Sequence, residues 1–257
     1  MRLPTYSAGM KLERAKKHRS ELMTALSAFL GSKPYRIGAV QRPETPQILY
    51  YYVAEVREIP EDIPLICGDV LQNLRSALDH MAGNLVVSAG NSVNSQTAFP
   101  IFDNEAKYRA GANRKVGRMR PEAIIAIDAL EPYRGGRGQD LWRLHRLNNI
   151  DKHQMIFAAG SLVTAVDALS HWARMIPQLR PLADAGYAFI PEDKSFPLQV
   201  GSILFETLET TVDQSLRFSF DVALGHPDVC YGEPLLKTVT ELIDAVENVL
   251  TELAPFL

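Results

Sequence analysis

Two short clusters hold the side chains best suited to chemistry: Gly68-Asp69-Val70-Leu71-Gln72-Asn73-Leu74-Arg75-Ser76-Ala77-Leu78-Asp79-His80 and Asn148-Asn149-Ile150-Asp151-Lys152-His153. In the first, Arg75 and His80 are candidate catalytic residues. An imidazole exchanges a proton near neutral pH, and a guanidinium stabilises charge on a phosphoryl group. Asp151 and His153 extend the catalytic set from the second cluster, while Asn73, Ser76, Arg146, Asn149 and Lys152 are candidate substrate-binding residues.

Two other uses of these residues compete with catalysis. A divalent ion could draw on Asp79, His80, Asp151 and His153. Neighbours such as Asp79 and His80 point about 100° apart on a helix, however. Neither cluster has a Glu-x-x-His or His-x-x-x-His spacing. No metal ligand and no cofactor is therefore assigned. The other use is structural: Arg75 pairs with a buried Asp151, and His80 and Asn73 complete a hydrogen-bonded core network.

Both clusters need helices to present them. Val70, Leu71, Leu74, Leu78, Met81 and Leu85 form an apolar seam, with Asp69, Asn73, Ser76 and His80 on the other side and Arg75 and Asp79 on the flank. In the second helix, opened by Asp140 as N-cap, Leu141, Leu144, Leu147, Met155 and Ala158 share a face, and Asp151 falls within it. A carboxylate among leucines requires a partner. Arg75 is the one expected, which makes the two helices neighbours.

Around them the pattern gives a first helix over 9–30, strands over 35–40 and 48–59, and an extended piece at Phe99–Asp103. Lys107–Arg120 is expected as an exposed loop or frayed helix, and a short helix follows Pro121. Residues 162–176 read as a further helix. Strands are expected at 188–190, 196–207 and 215–224, and a last helix after Pro234. Segregated runs of this kind imply a single α+β domain over 1–257, a helical core with a small antiparallel sheet built from N-terminal and C-terminal strands.

Composition narrows the classes. The 257 residues are 46% hydrophobic and 22% charged, as in soluble globular proteins. No signal-peptide core and no membrane-length apolar run occurs, and the two cysteines, Cys67 and Cys230, match no metal or redox spacing. A cytoplasmic protein with no membrane partner is the expectation. The net charge of -3 is uneven: Glu105–Lys152 carries 11 Lys/Arg against 6 Asp/Glu, and Asp184–Glu252 carries 3 against 13. The basic middle suits an anionic ligand. Arg114, Lys115, Arg118, Arg134 and Arg137 are expected to border the cleft that holds His80.

The Arg75-x4-His80 spacing resembles the signature of HEPN-domain ribonucleases, and Arg146-x6-His153 fits it as well. That resemblance implies metal-independent cleavage of RNA, with RNA or a nucleotide as ligand and a homodimer as the working form. Residues 68–80 and 144–153 are also similar to a group of uncharacterised bacterial proteins. That group shares a Gly-Asp-x-Leu-x-Asn-Leu-Arg-Ser-Ala-Leu-Asp-His helix and a later Leu-Asn-x-x-Asp-Lys-His helix. The alternative to a ribonuclease is a non-catalytic binding or scaffold protein whose Arg/Asp/His network is structural.

Overall fold

The computed structural model describes residues 6–153, 158–167, 172–173, 176–184, 196–208, 212–213 and 216–257. The described elements, in chain order, are α1 (Tyr6–Gly31), β1 (Tyr35–Arg42), β2 (Thr45–Val56), α2 (Asp62–Ser88), α3 (Glu105–Val116), α4 (Pro121–Ala129), α5 (Gln139–His153), β3 (Ala158–Asp167), α6 (Arg180–Asp184), β4 (Ile203–Thr207), β5 (Arg217–His226), β6 (Cys230–Pro234) and α7 (Leu235–Leu253). The fold is α+β. The chain divides into two compact units, Met1–Thr24 with Asp62–Ile156 and Leu236–Leu257, and Ala25–Glu61 with Phe157–Leu235.

The second unit holds both sheets, each three-stranded and antiparallel, in the orders β1-β2-β4 and β3-β5-β6. The first joins the N-terminal hairpin to a strand from the C-terminal half. Leu49, Tyr51 and Val53 alternate inward along β2 and share a core with Leu204, Phe205 and Val166. Tyr51 lies 6.0 Å from Phe218 between ring centroids, and Tyr35 lies 4.2 Å from Phe220. At Gly38, paired with Tyr52, the tyrosine ring covers the space a side chain would take.

One expectation fails here. Residues 162–167 belong to strand β3, paired with β5 from Ala158↔Leu224 to Asp167↔Arg217, instead of opening a helix over 162–176. The run Leu162-Val163-Thr164-Ala165-Val166 is rich in β-branched residues, and pairing with β5 overrides its helical spacing. Strand β6 has no counterpart in the sequence reading, and of 196–207 only 203–207 is strand. The expected strand at 188–190 lies outside the described residues.

The first unit is helical. α2 buries Ile63, Cys67, Val70, Leu71, Leu74, Ala77, Leu78, Met81, Ala82, Leu85 and Val86, an arc of about half its circumference. α3 is a regular helix where a loop or frayed helix was expected: Asn104 caps it by accepting from the Lys107 N–H at 2.9 Å. Tyr108 and Ala112 anchor it in a small core with Tyr133 and Phe102. Tyr108 Oη donates to Asp128 at 2.6 Å, and burial, then that bond, pushes its phenol above the usual range. α5 begins at Gln139, one residue before Asp140, which instead accepts from Arg143 at 3.2 Å.

The glycine-rich stretch before α5 is a tight turn. Gly135 has a positive φ of 86°. A Cβ on Gly138 would sit 2.7 Å from the Leu130 carbonyl oxygen and 3.0 Å from Pro132 Cα. Backbone cannot retreat as a side-chain tip can. Gly138→Ala should therefore cost about 1–3 kcal/mol, the usual range for forced overpacking. Denaturant unfolding checks this; a loss below 0.5 kcal/mol, about the scatter for a surface substitution, would mean the turn gives way.

Candidate functional site

The candidate site lies in the helical unit, where α2, α3, α5 and the Phe99–Asp103 segment meet. α2 and α5 pack together. Asp151 lies against Gly68, its carboxylate oxygens 2.6 and 2.7 Å from where a Cβ would stand. One end of the pairing is thus 68 with 151, while Arg75 acts electrostatically on His145. The helices therefore run antiparallel. Gly68 costs helix propensity but lets a carboxylate approach the α2 backbone closely.

Arg75 is 7% exposed and its charge is matched from its own helix. Nη2 donates to Asp79 Oδ1 at 2.7 Å and to the Phe99 carbonyl at 3.0 Å, and the Phe99 N–H donates to the same Asp79 oxygen at 2.9 Å. Two side chains one turn apart thereby take both backbone groups of a fully buried phenylalanine. Asp151 is not the partner of Arg75, as the sequence had suggested; it meets α2 seven residues earlier. Burial lowers the guanidinium pKa, and Asp79 only partly restores it.

His80 is exposed and, among the described residues, makes no hydrogen bond or ion pair. Five residues of helix separate it from Arg75 by about 140°, so the two side chains leave α2 on different sides. Asn73 and Ser76 are half-buried on the His80 side, and the Asn73 amide donates to the Asp69 carbonyl at 2.8 Å. On α5, Asp151 is half-buried, Lys152 is exposed, and His153 ends the helix with a side chain outside the described set. Arg146 is half-buried and helps hold Asp103 below the usual carboxylate range, after the larger effect of the Lys107 hydrogen bond. Asn149 bonds His145 Nε2 at 3.1 Å.

The site also draws in His145 and Asn148 of α5, which the sequence reading did not assign to it, and Lys115, which it expected at the border of the cleft. His145 is three residues before Asn148 and six before Asp151. Its imidazole is pushed down to about 4, first by burial and then by the charges of Arg75, Lys115 and Lys152, with Asp103 opposing. Lys115, at the end of α3, is lowered first by burial and then by Arg75, with Asp79 opposing. Among the described residues it makes no ion pair, and its ammonium lies 5.7 Å from the Phe102 ring centroid. Asn148 is 1% exposed. Arg75 Nη1, His145 Nδ1 and both amide atoms of Asn148 are buried without a hydrogen-bond partner in the chain. Spacing on α5 was the available signal: His145, Asn148 and Asp151 recur every three residues.

The basic residues of the middle region are dispersed. Arg134 stacks over Trp142 at 5.1 Å, and Arg137 donates to the Ala129 carbonyl at 3.2 Å. Arg137 also lines a cleft of about 410 Å³ whose other walls include Asp140, Glu241, Asp244 and Glu252. Arg114 and Arg118 are exposed. Lys115, by contrast, feels the charge of Arg75, as His145 does. Among the described residues no three His, Cys, Asp or Glu side chains gather as a metal site requires. No described helix is long and apolar enough to cross a membrane. Comparison with protein-family models, curated proteins and solved structures finds no match for this chain.

Two outcomes follow from this geometry. Asp79→Ala strips the Phe99 N–H of its acceptor and leaves the buried guanidinium unpaired, so it should cost roughly 1–3 kcal/mol or more. Exposed His80→Ala should stay within about 0.5 kcal/mol of the parent. Equal losses in chemical denaturation would contradict the clamp. The second outcome concerns pH. Unfolded, the His145 imidazole takes a proton near its ordinary 6.5; folded, it resists down to about 4. Between those values the unfolded chain binds the extra proton, so stability falls as pH drops from 6.5 toward 4. His145→Gln should flatten that part of the stability profile. An unchanged slope would show that other groups carry it.

Proposed function

We propose that this protein acts by binding, with its helical unit as the binding element, and does not cut RNA. The observation that carries this reading is how Arg75 is used. Its guanidinium is committed to Asp79 and the Phe99 carbonyl, and His80 stands on the opposite, solvent side of α2. A general acid and a phosphate-stabilising cation must reach one phosphodiester together. Side chains about 140° apart on a continuous helix do not do so within one chain. The Arg75–Asp79–Phe99 network supports the structural role instead: it ties the Phe99–Asp103 segment to α2 through both backbone groups of one residue.

The resemblance of residues 68–80 and 144–153 to the bacterial group with Gly-Asp-x-Leu-x-Asn-Leu-Arg-Ser-Ala-Leu-Asp-His and Leu-Asn-x-x-Asp-Lys-His helices fits this reading. The residues that carry the resemblance, Gly68, Arg75, Asp79 and Asp151, are those that join α2 to its neighbours. A cytoplasmic location remains part of the proposal, supported by the composition.

A cleavage assay tests it. Purified protein incubated with a labelled single-stranded RNA in chelator should leave the RNA intact, at any protein concentration that spans monomer and dimer. Metal-free cleavage that disappears in a folded His80→Ala variant would overturn the binding reading and restore the ribonuclease.

A further inference from the structure

The buried polar atoms beside the clamp point to what is bound. We infer that Arg75 Nη1, Lys115, His145 Nδ1 and the Asn148 amide form the recognition site for a phosphate group. The inference deepens the binding reading above and rests on it.

The first argument is hydrogen-bond accounting. Buried donors almost always have partners. Here a guanidinium nitrogen, an imidazole nitrogen and a primary amide are buried without one on two packed helices; the Arg75 charge acts on His145, and Asn148 follows His145 by one turn of α5. Their donor character can be worked out. The Asn149 amide meets His145 Nε2 at 3.1 Å, and with its Nδ2 donating, Nε2 is the acceptor. A neutral imidazole then carries its proton on Nδ1, the unpartnered atom. Burial and the neighbouring cations keep it neutral at pH 7. Arg75 Nη1, His145 Nδ1 and Asn148 Nδ2 are thus all N–H donors that lack an acceptor.

The second argument is charge. Two nearby carboxylates are matched by other bases, Asp79 by Arg75 at 2.7 Å and Asp103 by Lys107 at 2.7 Å, and the half-buried Asp151 lies further along α5, against Gly68. Among the described residues Lys115 and Lys152 make no ion pair, and the charges that act on His145 are three cations, Arg75, Lys115 and Lys152, against one carboxylate, Asp103, so the neighbourhood carries excess positive charge. A cation that is partly buried without a carboxylate partner is costly. A phosphate monoester brings close to two negative charges and several acceptor oxygens, and would both satisfy the donors and offset the charge. The guanidinium is held in place by Asp79 and Phe99 before any ligand arrives, so little is lost in ordering it.

Two sources carry this chemistry, free phosphate and the phosphate of a nucleotide. Calorimetric titration of the full chain with inorganic phosphate and with adenosine 5'-monophosphate, each against chloride at matched ionic strength, separates them. Saturable binding of at least one phosphate, absent with chloride, is expected. Tighter binding of the nucleotide assigns the phosphate to a nucleotide, and equal binding assigns it to the free ion. Lys115→Met should weaken the interaction at least about tenfold and leave the fold intact, because this half-exposed lysine has no ion pair to lose. Lys17→Met, at an exposed position of α1, should bind as the parent does. Because Arg75 variants are expected to unfold the clamp, they are left out of the series.

No saturable binding of either phosphate, an equal response to chloride, or a Lys115→Met variant that binds as well as the parent would each overturn the inference. These failures are distinct from that of the binding reading: RNA cleavage would end the latter whatever the titration gives, and a flat titration would leave the role of the clamp untouched.

Discussion

The helical unit depends on holding one guanidinium out of water. Arg75 lies on the edge of the apolar arc of α2, where a leucine would pack equally well, and its charge must be met locally. Asp79, one turn on, supplies the charge, and the Phe99 backbone supplies the remaining acceptor and uses the remaining carboxylate capacity. The pair is therefore a tie between a helix and an irregular segment, and its specificity comes from taking an N–H and a C=O of the same residue. Three residues on, the Phe102 N–H donates to the Pro132 carbonyl and the Phe102 ring stands edge-on to Tyr108. Through that chain of contacts α2, α3 and the turn before α5 are registered against one another.

Much of this was legible as pattern and little as partnership. The seam of α2 and the polar stripe Asp69-Asn73-Ser76-His80 follow from 100° per residue, and the structure keeps the stripe at the surface or half-buried. The need of Asp151 for a close approach to α2 also follows from its place among leucines. Its contact at Gly68, and the choice of Asp79 for Arg75, do not. An i, i+4 acid was always available to Arg75, and local pairing costs less ordering than a reach across helices. His145 escaped for another reason, and Lys115 was named only as one of five bases expected at the cleft. A lone lysine or histidine gains meaning only from what tertiary packing brings near it, and no spacing within α3 or α5 announces Arg75.

In the fold, the error at β3 is instructive. Leu162, Ala165, Val166 and Leu169 recur at helical intervals, while Leu162, Thr164 and Val166 alternate as in a strand. Over so short a run both periods are satisfied, and periodicity cannot choose. β5 decides the matter by offering a full ladder of backbone partners from Leu224 to Arg217. The alternation of β5 itself was unambiguous, because Phe218, Phe220 and Val222 leave no helical reading.

The spacing of a motif has a physical meaning only together with the backbone that carries it. Arg-x4-His on a straight helix sends its two ends to different sides, one into the packing arc and one to solvent. Such a pair can act on one phosphate only where the helix breaks between them or where a second chain supplies the missing half. α2 is continuous from Asp62 to Ser88, so the first route is closed within this chain. The structure holds instead an arrangement in which a buried arginine is fixed by its own helix and, among the described residues, it and two residues of α5 keep buried polar atoms without a partner. An arrangement of that kind is set by packing, and the residues that compose it need share no spacing at all.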